Sequence, residues 1–401
     1  MGKKKERKSW TAAGAARAAR DAQVATAKYL RSTDLAMRVE ASSLSRQFQI
    51  NLRTYAGNRD AARLAYFGAL GYTDRQIPSN LTSAARMVLD DDARNLAEAQ
   101  LYVVSPQMCD VVLAAAQTLT RDDLALVGPE DLPSPTGLIM LPHAVISRAV
   151  DGDLTDTRAI TWTTPATAFF RSPKHRKVME YPAARVAAYY GTHGPVRPDN
   201  WTEFLDYARS VDVVLPPLIP DARRPFVFHH DPSEDDPDVM RRMTHAARDI
   251  ARRQTDAAGD GGEQTDQVVG EYVPGSEIDD SDHTFVLRFL YAFWRLCDQR
   301  IGVQDQAPPT HSARVAAERL GAPAEIRVVQ VRRPEQSAEQ PAEDAAAPAR
   351  DWQHRWVVRM HKVRQWYPSE QTHKVIYRGP YIKGPADKPL LGGDVVRAVT
   401  R

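Results

Sequence analysis

Long apolar runs and cysteines are both scarce in this chain of 401 residues. No apolar run approaches the roughly 18 residues that a membrane-spanning helix needs, and the basic N-terminus lacks the apolar stretch of a signal peptide. The two cysteines, Cys109 and Cys297, are too few for a disulfide framework and lie in apolar helical patterns. We therefore predict a cytoplasmic protein that makes no membrane contact.

Sequence motifs for common enzyme chemistries are also missing. The Gly-rich segment 259–263 lacks the Lys and the Ser or Thr of a P-loop, and no Gly-x-Ser-x-Gly nucleophile elbow occurs. His229 and His230 stand beside Asp231 and Asp235, but no second ligand cluster follows at a recognised spacing. We predict no metal site and no cofactor, and we favour a non-enzymatic role while leaving catalysis open.

Charge is distributed unevenly along the chain, although the net charge is only +2. Residues 1–70 carry 14 basic and 5 acidic side chains, a net of +9, and residues 352–401 carry 10 and 3, a net of +7. The remaining residues, 71–351, therefore have a net charge of −14. Basic ends favour an anionic partner, and RNA, DNA and an acidic protein all remain alternatives.

Hydrophobic periodicity predicts an α+β fold with a helical N-terminal region, a central mixed α/β domain and a C-terminal antiparallel β-meander. The predicted parts are a basic helical region at 1–100, the central domain at 101–253, an acidic disordered linker at 254–282, and a docking helix with a basic and aromatic β domain at 283–401. Within the last part, residues 335–350 are predicted to be a disordered excursion.

Local patterns predict several individual elements. Ser105 and Pro106 are favourable first residues for a helix after the strand 101–104, and the apolar segment 285–297 predicts a buried helix that docks the tail onto the centre. The proline-rich segment 215–225 predicts an irregular surface loop. The other predicted helices are 11–30, 35–52, 59–70 and 311–320, and the other predicted strands are 138–141, 160–163, 185–190, 211–215, 325–332, 354–366, 373–378 and 395–400.

The last fifty residues combine basic and aromatic side chains in a pattern that is typical of single-stranded nucleic-acid binding. Cations neutralise phosphates, while aromatic rings stack on unpaired bases. The alternative is a twisted sheet whose aromatic residues form its core and whose basic residues face water. The predicted binding residues are Arg355, Arg359, His361, Arg364, Trp366, Tyr367, Lys374 and Lys383.

The same segment leaves a catalytic alternative open. His361 and His373 lie among cations, and a metal-independent ribonuclease needs little more than a histidine, a Lys or Arg, and a tyrosine. Nothing in their spacing requires catalysis, because binding alone uses the same residue types. A third alternative is a protein-interaction module in which Trp366 is buried.

The C-terminal sequence also resembles a known family. The residues that carry the resemblance are His354–Arg359, His361, Arg364–Ser369, His373, Pro380–Pro385 and Pro389–Leu390, with weaker matches at Leu101–Pro106 and Asp131–Gly137. They are similar to a family of mostly uncharacterised proteins of actinobacteria, their phages and plasmids, which shares its C-terminal signature with the second-named type V-A anti-CRISPR protein.

That resemblance implies a regulator encoded by a mobile element. The anti-CRISPR protein is understood to recognise a nascent type V nuclease during translation and to provoke loss of its messenger RNA. For this chain, the resemblance implies association with RNA, or with a ribosome and its nascent chain, in the host cytoplasm, together with a protein target that it does not identify. It implies no catalytic residues.

Overall fold

The computed structural model describes most of the chain, and the fold is α+β, as predicted. Helices form the N-terminal region, a mixed sheet follows, and the C-terminal strands are antiparallel. The described residues are 10–73, 75–149, 154–171, 178–197, 201–230, 237–257, 267–268, 277–280, 283–299, 302–307, 311–331, 356–358, 361–369, 371–378 and 381–383.

Four helices make up the N-terminal region. They are α1 (Ala12–Ser32), α2 (Asp34–Thr54), α3 (Arg59–Arg63), which continues as a π-helix over Leu64–Gly68, and α4 (Leu81–Glu98). Each α-helix begins at a Thr or Asn whose side-chain oxygen accepts a hydrogen bond from the main chain of the first turn. The first three helical patterns are confirmed, whereas α4 was not predicted.

The central sheet contains eight strands. Its order is β6-β4-β3-β2-β1-β10-β9, with β8 beside β2. Strand β1 is parallel to both β2 and β10, β8 is parallel to β2, and the other pairs are antiparallel. The strand bounds are β1 (Gln100–Val104), β2 (Thr136–Ala149), β3 (Leu154–Arg171), β4 (Val178–Gly191), β5 (Val196–Arg197), β6 (Leu218–Val227), β7 (Gln267–Val268), β8 (Ile278–Asp280), β9 (Gly302–Ala307) and β10 (Ile326–Val331), of which β5 and β7 form a separate pair.

Helices cover both faces of this sheet. The remaining helices are α5 (Pro106–Gln117), α6 (Arg121–Leu124), a 3-10 turn (Pro129–Asp131), α7 (Trp201–Ser210), α8 (Pro237–Ala257), α9 (Phe285–Asp298) and α10 (His311–Leu320). Helices α5 and α9 pack on the face that carries Tyr102 and Trp162, while α1 and α4 pack on the face that carries Leu101 and Val103. This arrangement follows from the alternation of side chains along β1.

The C-terminal strands form two antiparallel pairs. Strands β12 (His361–Tyr367) and β13 (Thr372–Arg378) make a hairpin, and β11 (Trp356–Val358) pairs with β14 (Tyr381–Lys383). Strand β14 lies between the predicted strands 373–378 and 395–400 and was not itself predicted. The predicted strand at 395–400 and the predicted excursion at 335–350 lie outside the described residues.

Two local predictions, a strand at 211–215 and a loop at 215–225, were wrong. Residues 211–215 form no strand, and the strand lies instead at β6, which overlaps most of the predicted proline-rich loop. Strand β6 tolerates Pro220 and Pro225 because, among the residues that the structure describes, it is the last strand of the sheet and pairs only with β4. The predicted disordered linker contains the end of α8 as well as β7 and β8, and β8 is ordered by its pairing with β2. The rest of that linker lies outside the described residues.

Long-range pairing joins parts of the chain that the sequence analysis separated. Strands β9 and β10 fall within the predicted C-terminal unit, yet β10 pairs with β1 of the predicted central domain. Helix α9 packs between the sheet and the C-terminal hairpin, since its apolar residues share one core with Val375 and Tyr377 of β13. This helix therefore contacts both the central sheet and the hairpin.

Candidate nucleic-acid interface

The predicted binding residues that the structure describes lie mostly on the hairpin of β12 and β13, which we call the tail hairpin. Its register pairs His361 with Arg378 at one end and Tyr367 with Thr372 at the turn. Directly opposite residues of an antiparallel pair point to the same face. The inner face therefore carries Lys362, Arg364, Trp366, His373, Val375 and Tyr377, and the outer face carries His361, Val363, Gln365, Tyr367, Thr372, Lys374, Ile376 and Arg378.

The inner face anchors the tail hairpin to the core. Val375 and Tyr377 are buried, and burial raises the pKa of the Tyr377 hydroxyl. Arg295 of α9 donates from Nε to the main-chain oxygen of Val375 at 2.9 Å, and its Nη1 lies 2.9 Å from Oδ1 of the buried Asp131. Gln299 accepts a hydrogen bond from the main-chain nitrogen of Tyr377 at 3.2 Å. These contacts fix the position of β13 against α9.

A second anchor lies at Asp123 of α6. Its carboxylate accepts hydrogen bonds from Lys362 and from Arg364, whose Nη2 lies 2.7 Å from Oδ1. The main-chain nitrogen and hydroxyl of Thr120 also donate to Asp123, at 2.8 and 2.9 Å. Burial opposes ionisation of this carboxyl, but the bonds from Lys362, Thr120 and Arg364 together outweigh burial and lower its pKa.

Aromatic side chains and a cation are exposed at the turn end of the tail hairpin. Trp366 is 48% exposed, and its ring centroid lies 4.9 Å from that of His373 at an interplanar angle of 55°. On the outer face, Lys374 Nζ lies 5.8 Å from the centroid of the Tyr367 ring. The turn end thus offers an aromatic surface on one side and a cation held over an aromatic ring on the other.

The structure brings some predicted binding residues together and separates others. Trp366, Tyr367 and Lys374 all lie near the turn end, with Trp366 on the inner face and the other two on the outer face, whereas His361 lies at the opposite end of the outer face. Arg364 contacts Asp123. Arg355 and Arg359 lie outside the described residues. For Lys383 the structure describes the strand, β14, but not the side chain.

The two candidate catalytic histidines do not converge. His361 and His373 are on opposite faces of the tail hairpin, five positions apart along its register. At about 3.3 Å per residue, that offset separates them by roughly 17 Å along the strands. A general acid and a general base must both reach one scissile phosphate, and these two histidines are not arranged to do so.

Sequence analysis missed the residues that orient the tail hairpin. Lys362 was not predicted as a site residue, and Asp123 was not singled out. A signal for Asp123 does exist, because Thr120 and Asp123 have the spacing of a helix-capping box, which the structure contains. Lys362, Arg364 and Trp366 also stand at every second position of one strand, and this spacing predicts that they share one face.

A second charged cluster lies under the N-terminal helices. Arg223 of β6 contacts Glu40 of α2 at 2.9 Å and Asp92 of α4 at 2.6 Å. Arg185 of β4 donates to Asp92 at 3.2 Å and to the hydroxyl of Tyr72 at 2.8 Å. These groups are buried and paired with one another, which is typical of a structural interface.

The described residues offer little else for ligand chemistry. They contain no group of three or more His, Cys, Asp or Glu side chains placed to hold a metal ion, and none of the described helices is long and apolar enough to cross a membrane. A cleft of about 140 Å³ between α2 and α8 is lined mainly by Ile50, Met243 and Ala247. Comparison of the sequence with protein-family models and with curated proteins found no match.

Proposed function

We propose that this protein is a non-enzymatic regulator that binds single-stranded RNA through the turn end of the tail hairpin. The observation that carries the proposal is the half-exposed Trp366, whose ring contacts that of His373 at the turn end, with Lys374 and Tyr367 on the opposite face of the same end. An exposed ring contributes roughly 1–3 kcal/mol when it stacks on a base, and a neighbouring cation neutralises a phosphate. Because the hairpin is anchored at Asp123 and α9, these groups are held in place before RNA binds.

The biological setting that we propose comes from the resemblance of the C-terminal sequence. It supports a regulator of phage or other mobile-element origin, anti-CRISPR-like, that acts in the host cytoplasm. Such a regulator lowers the expression of a target by associating with RNA or with a ribosome and its nascent chain. The basic tail, with its net charge of +7, is consistent with a polyanionic partner.

Exposure of Trp366 favours this proposal over a protein-interaction module. A module whose tail serves only as core is expected to bury this ring, whereas Trp366 is 48% exposed. The separation of His361 from His373 likewise favours binding over cleavage. We expect RNA to remain intact during long incubation with the purified protein, and loss of cleavage in His361→Ala with binding retained would instead support a ribonuclease.

The test is RNA binding by the full chain across a salt series. Trp366→Ala is expected to weaken binding about 5- to 150-fold, which corresponds to the loss of roughly 1–3 kcal/mol of stacking. Lys374→Gln is expected to reduce the salt slope by about 0.7. Tyr207→Ala is the matched control, because Tyr207 is also aromatic and 40% exposed but lies on α7. Full affinity in both hairpin variants, or no binding by the wild type, would refute the proposal.

A further inference from the structure

Two cations of the tail hairpin converge on one buried carboxylate. The side chain of Asp123 is 0% exposed, whereas those of Lys362 and Arg364 are 26% and 46% exposed. Arg364 presents both Nε, at 2.8 Å, and Nη2, at 2.7 Å, to the same oxygen of Asp123. The cations therefore lie at the surface, and their anion lies beneath them.

This pair of cations has the chemistry of a phosphate site. A guanidinium offers two parallel N–H donors to an oxyanion, and an adjacent ammonium adds a compact charge. Arg364 is also two residues from Trp366 on the inner face, at about 7 Å along the strand. A nucleotide whose base stacks on Trp366 would thus have a phosphate within reach of Arg364.

We propose that Lys362 and Arg364 form a phosphate-binding position next to Trp366, and that Asp123 holds this position closed and limits the affinity for RNA. This inference rests on the proposed function, since it concerns regulation of the same site. While the Asp123 carboxylate holds the donors of these two cations, they are not available to an RNA phosphate on the solvent side.

The asymmetry of burial explains why the wild-type position stays closed. Opening it leaves the Asp123 carboxylate buried with only its bonds from Thr120, and an uncompensated buried charge is unfavourable. The two cations lose less, because both are already partly in water. Neutralising Asp123 removes that restraint and frees the cations, while Asn keeps an oxygen for the donors of Thr120.

The experiment compares Asp123→Asn with Asp122→Asn in the full chain, using a short single-stranded RNA across a salt series. Both variants remove one negative charge from α6, but Asp122 is exposed and only Asp123 contacts the cations. Because the two freed cations would contact two more phosphates, Asp123→Asn is expected to steepen the salt slope by about 1.4 and to tighten binding about tenfold at 0.1 M salt. Asp122→Asn is expected to change affinity less than twofold.

The inference would be overturned if Asp123→Asn and Asp122→Asn had equal RNA affinities and salt slopes, or if Asp123→Asn bound RNA more weakly than the wild type. A second variant keeps it testable if Asp123→Asn does not fold. Asp123→Ser also removes the charge and keeps an oxygen for the donors of Thr120, so it is expected to steepen the salt slope and tighten binding as Asp123→Asn does. Adding Lys362→Gln and Arg364→Gln to either variant is expected to abolish the gain, and a gain that survives both substitutions would overturn the inference. Failure of the wild type and of Asp123→Asn to bind RNA would instead refute the proposed function itself.

Discussion

Arginine–carboxylate pairs hold two interfaces of this molecule, one under the N-terminal helices and one under the tail hairpin. Under the helices, Arg223 is 4% exposed and its partners Glu40 and Asp92 are 7% and 1% exposed. Under the hairpin, Asp123 is equally buried, but Arg364 is nearly half exposed. At the first interface both the cation and the carboxylates are excluded from water, whereas at the second only the carboxylate is.

The burial of the cation distinguishes a structural contact from an exchangeable one, in which the cation can leave its carboxylate for water or for another anion. A cation buried between two carboxylates has no alternative partner in water, so breaking the contact leaves unpaired charges in the interior. A cation at the surface can turn to water or to another anion at little cost. The burial of the cation thus indicates which interface a ligand is able to enter.

We expect the largest loss of stability from a substitution that disrupts the interface under the helices. Arg223→Met leaves Glu40 and Asp92 buried without their shared cation, and we expect a loss of about 3–5 kcal/mol in the free energy of unfolding. Urea denaturation measures this change. Arg209→Met is the control, because Arg209 is 73% exposed in its pair with Asp206, and it should cost less than about 0.5 kcal/mol. Similar losses in the two variants would remove the distinction between the interfaces.

Asp156 contrasts with these ion pairs, because this buried carboxyl is bonded to the main chain. It accepts a hydrogen bond from the main-chain nitrogen of Val196 at 3.5 Å. Burial raises its pKa to about 6. Since the folded pKa exceeds the unfolded value near 3.9, its contribution to stability is greatest below pH 4 and is lost as pH rises through about 6.

The variant Asp156→Asn tests that sign. At pH 8 it should raise the free energy of unfolding by roughly 1–3 kcal/mol, since an amide avoids burying a charge. At pH 4 it should match the wild type, because the native carboxyl is then also neutral. Denaturation at the two pH values measures the effect, and a destabilised variant at pH 8 would contradict the assignment.

The parts of the fold that sequence analysis predicted depend on local signals. Ser105 caps α5 by accepting a hydrogen bond from the main-chain nitrogen of Met108, and the wide apolar face of α9 is visible in the sequence. Strand β6 was missed because its two prolines are acceptable only at a sheet edge, and position within a sheet is not a local property.

The candidate site was predicted only in part for the same reason. The sequence identifies Trp366, Tyr367 and Lys374 as binding residue types, and all three lie near the turn, on its two faces. The role of Lys362 and Arg364 depends on Asp123, which is far away in the chain and becomes their partner only when α9 docks the hairpin. A count of charges does not distinguish Lys362 and Arg364 from the other cations of the tail.

A smaller effect is expected at the exchangeable interface. Arg364→Gln leaves Asp123 bonded to Lys362 and Thr120, so we expect the free energy of unfolding to fall by no more than about 1 kcal/mol. Thermal unfolding at low and high salt measures it. A loss as large as that of Arg223→Met would show that the hairpin interface is as closed as the helical one.

The smallest expected effect is at the turn end. Trp366→Ala removes a half-exposed ring and should change the free energy of unfolding by less than about 0.5 kcal/mol, even though it weakens RNA binding. Chemical denaturation and RNA titration of the same preparation separate the two quantities. A strongly destabilised variant would mean that Trp366 serves the core and not a ligand.

The contacts of α9 with β13 have a consequence for self-association. Val375 and Tyr377 are two residues apart, so their main-chain groups lie along the same edge of the strand, where Arg295 and Gln299 bond to them. Unpaired strand edges act as templates for strands of other molecules. Here helix side chains occupy two of the hydrogen-bonding positions that an incoming strand requires, and they protect this edge of the hairpin from intermolecular β-sheet growth.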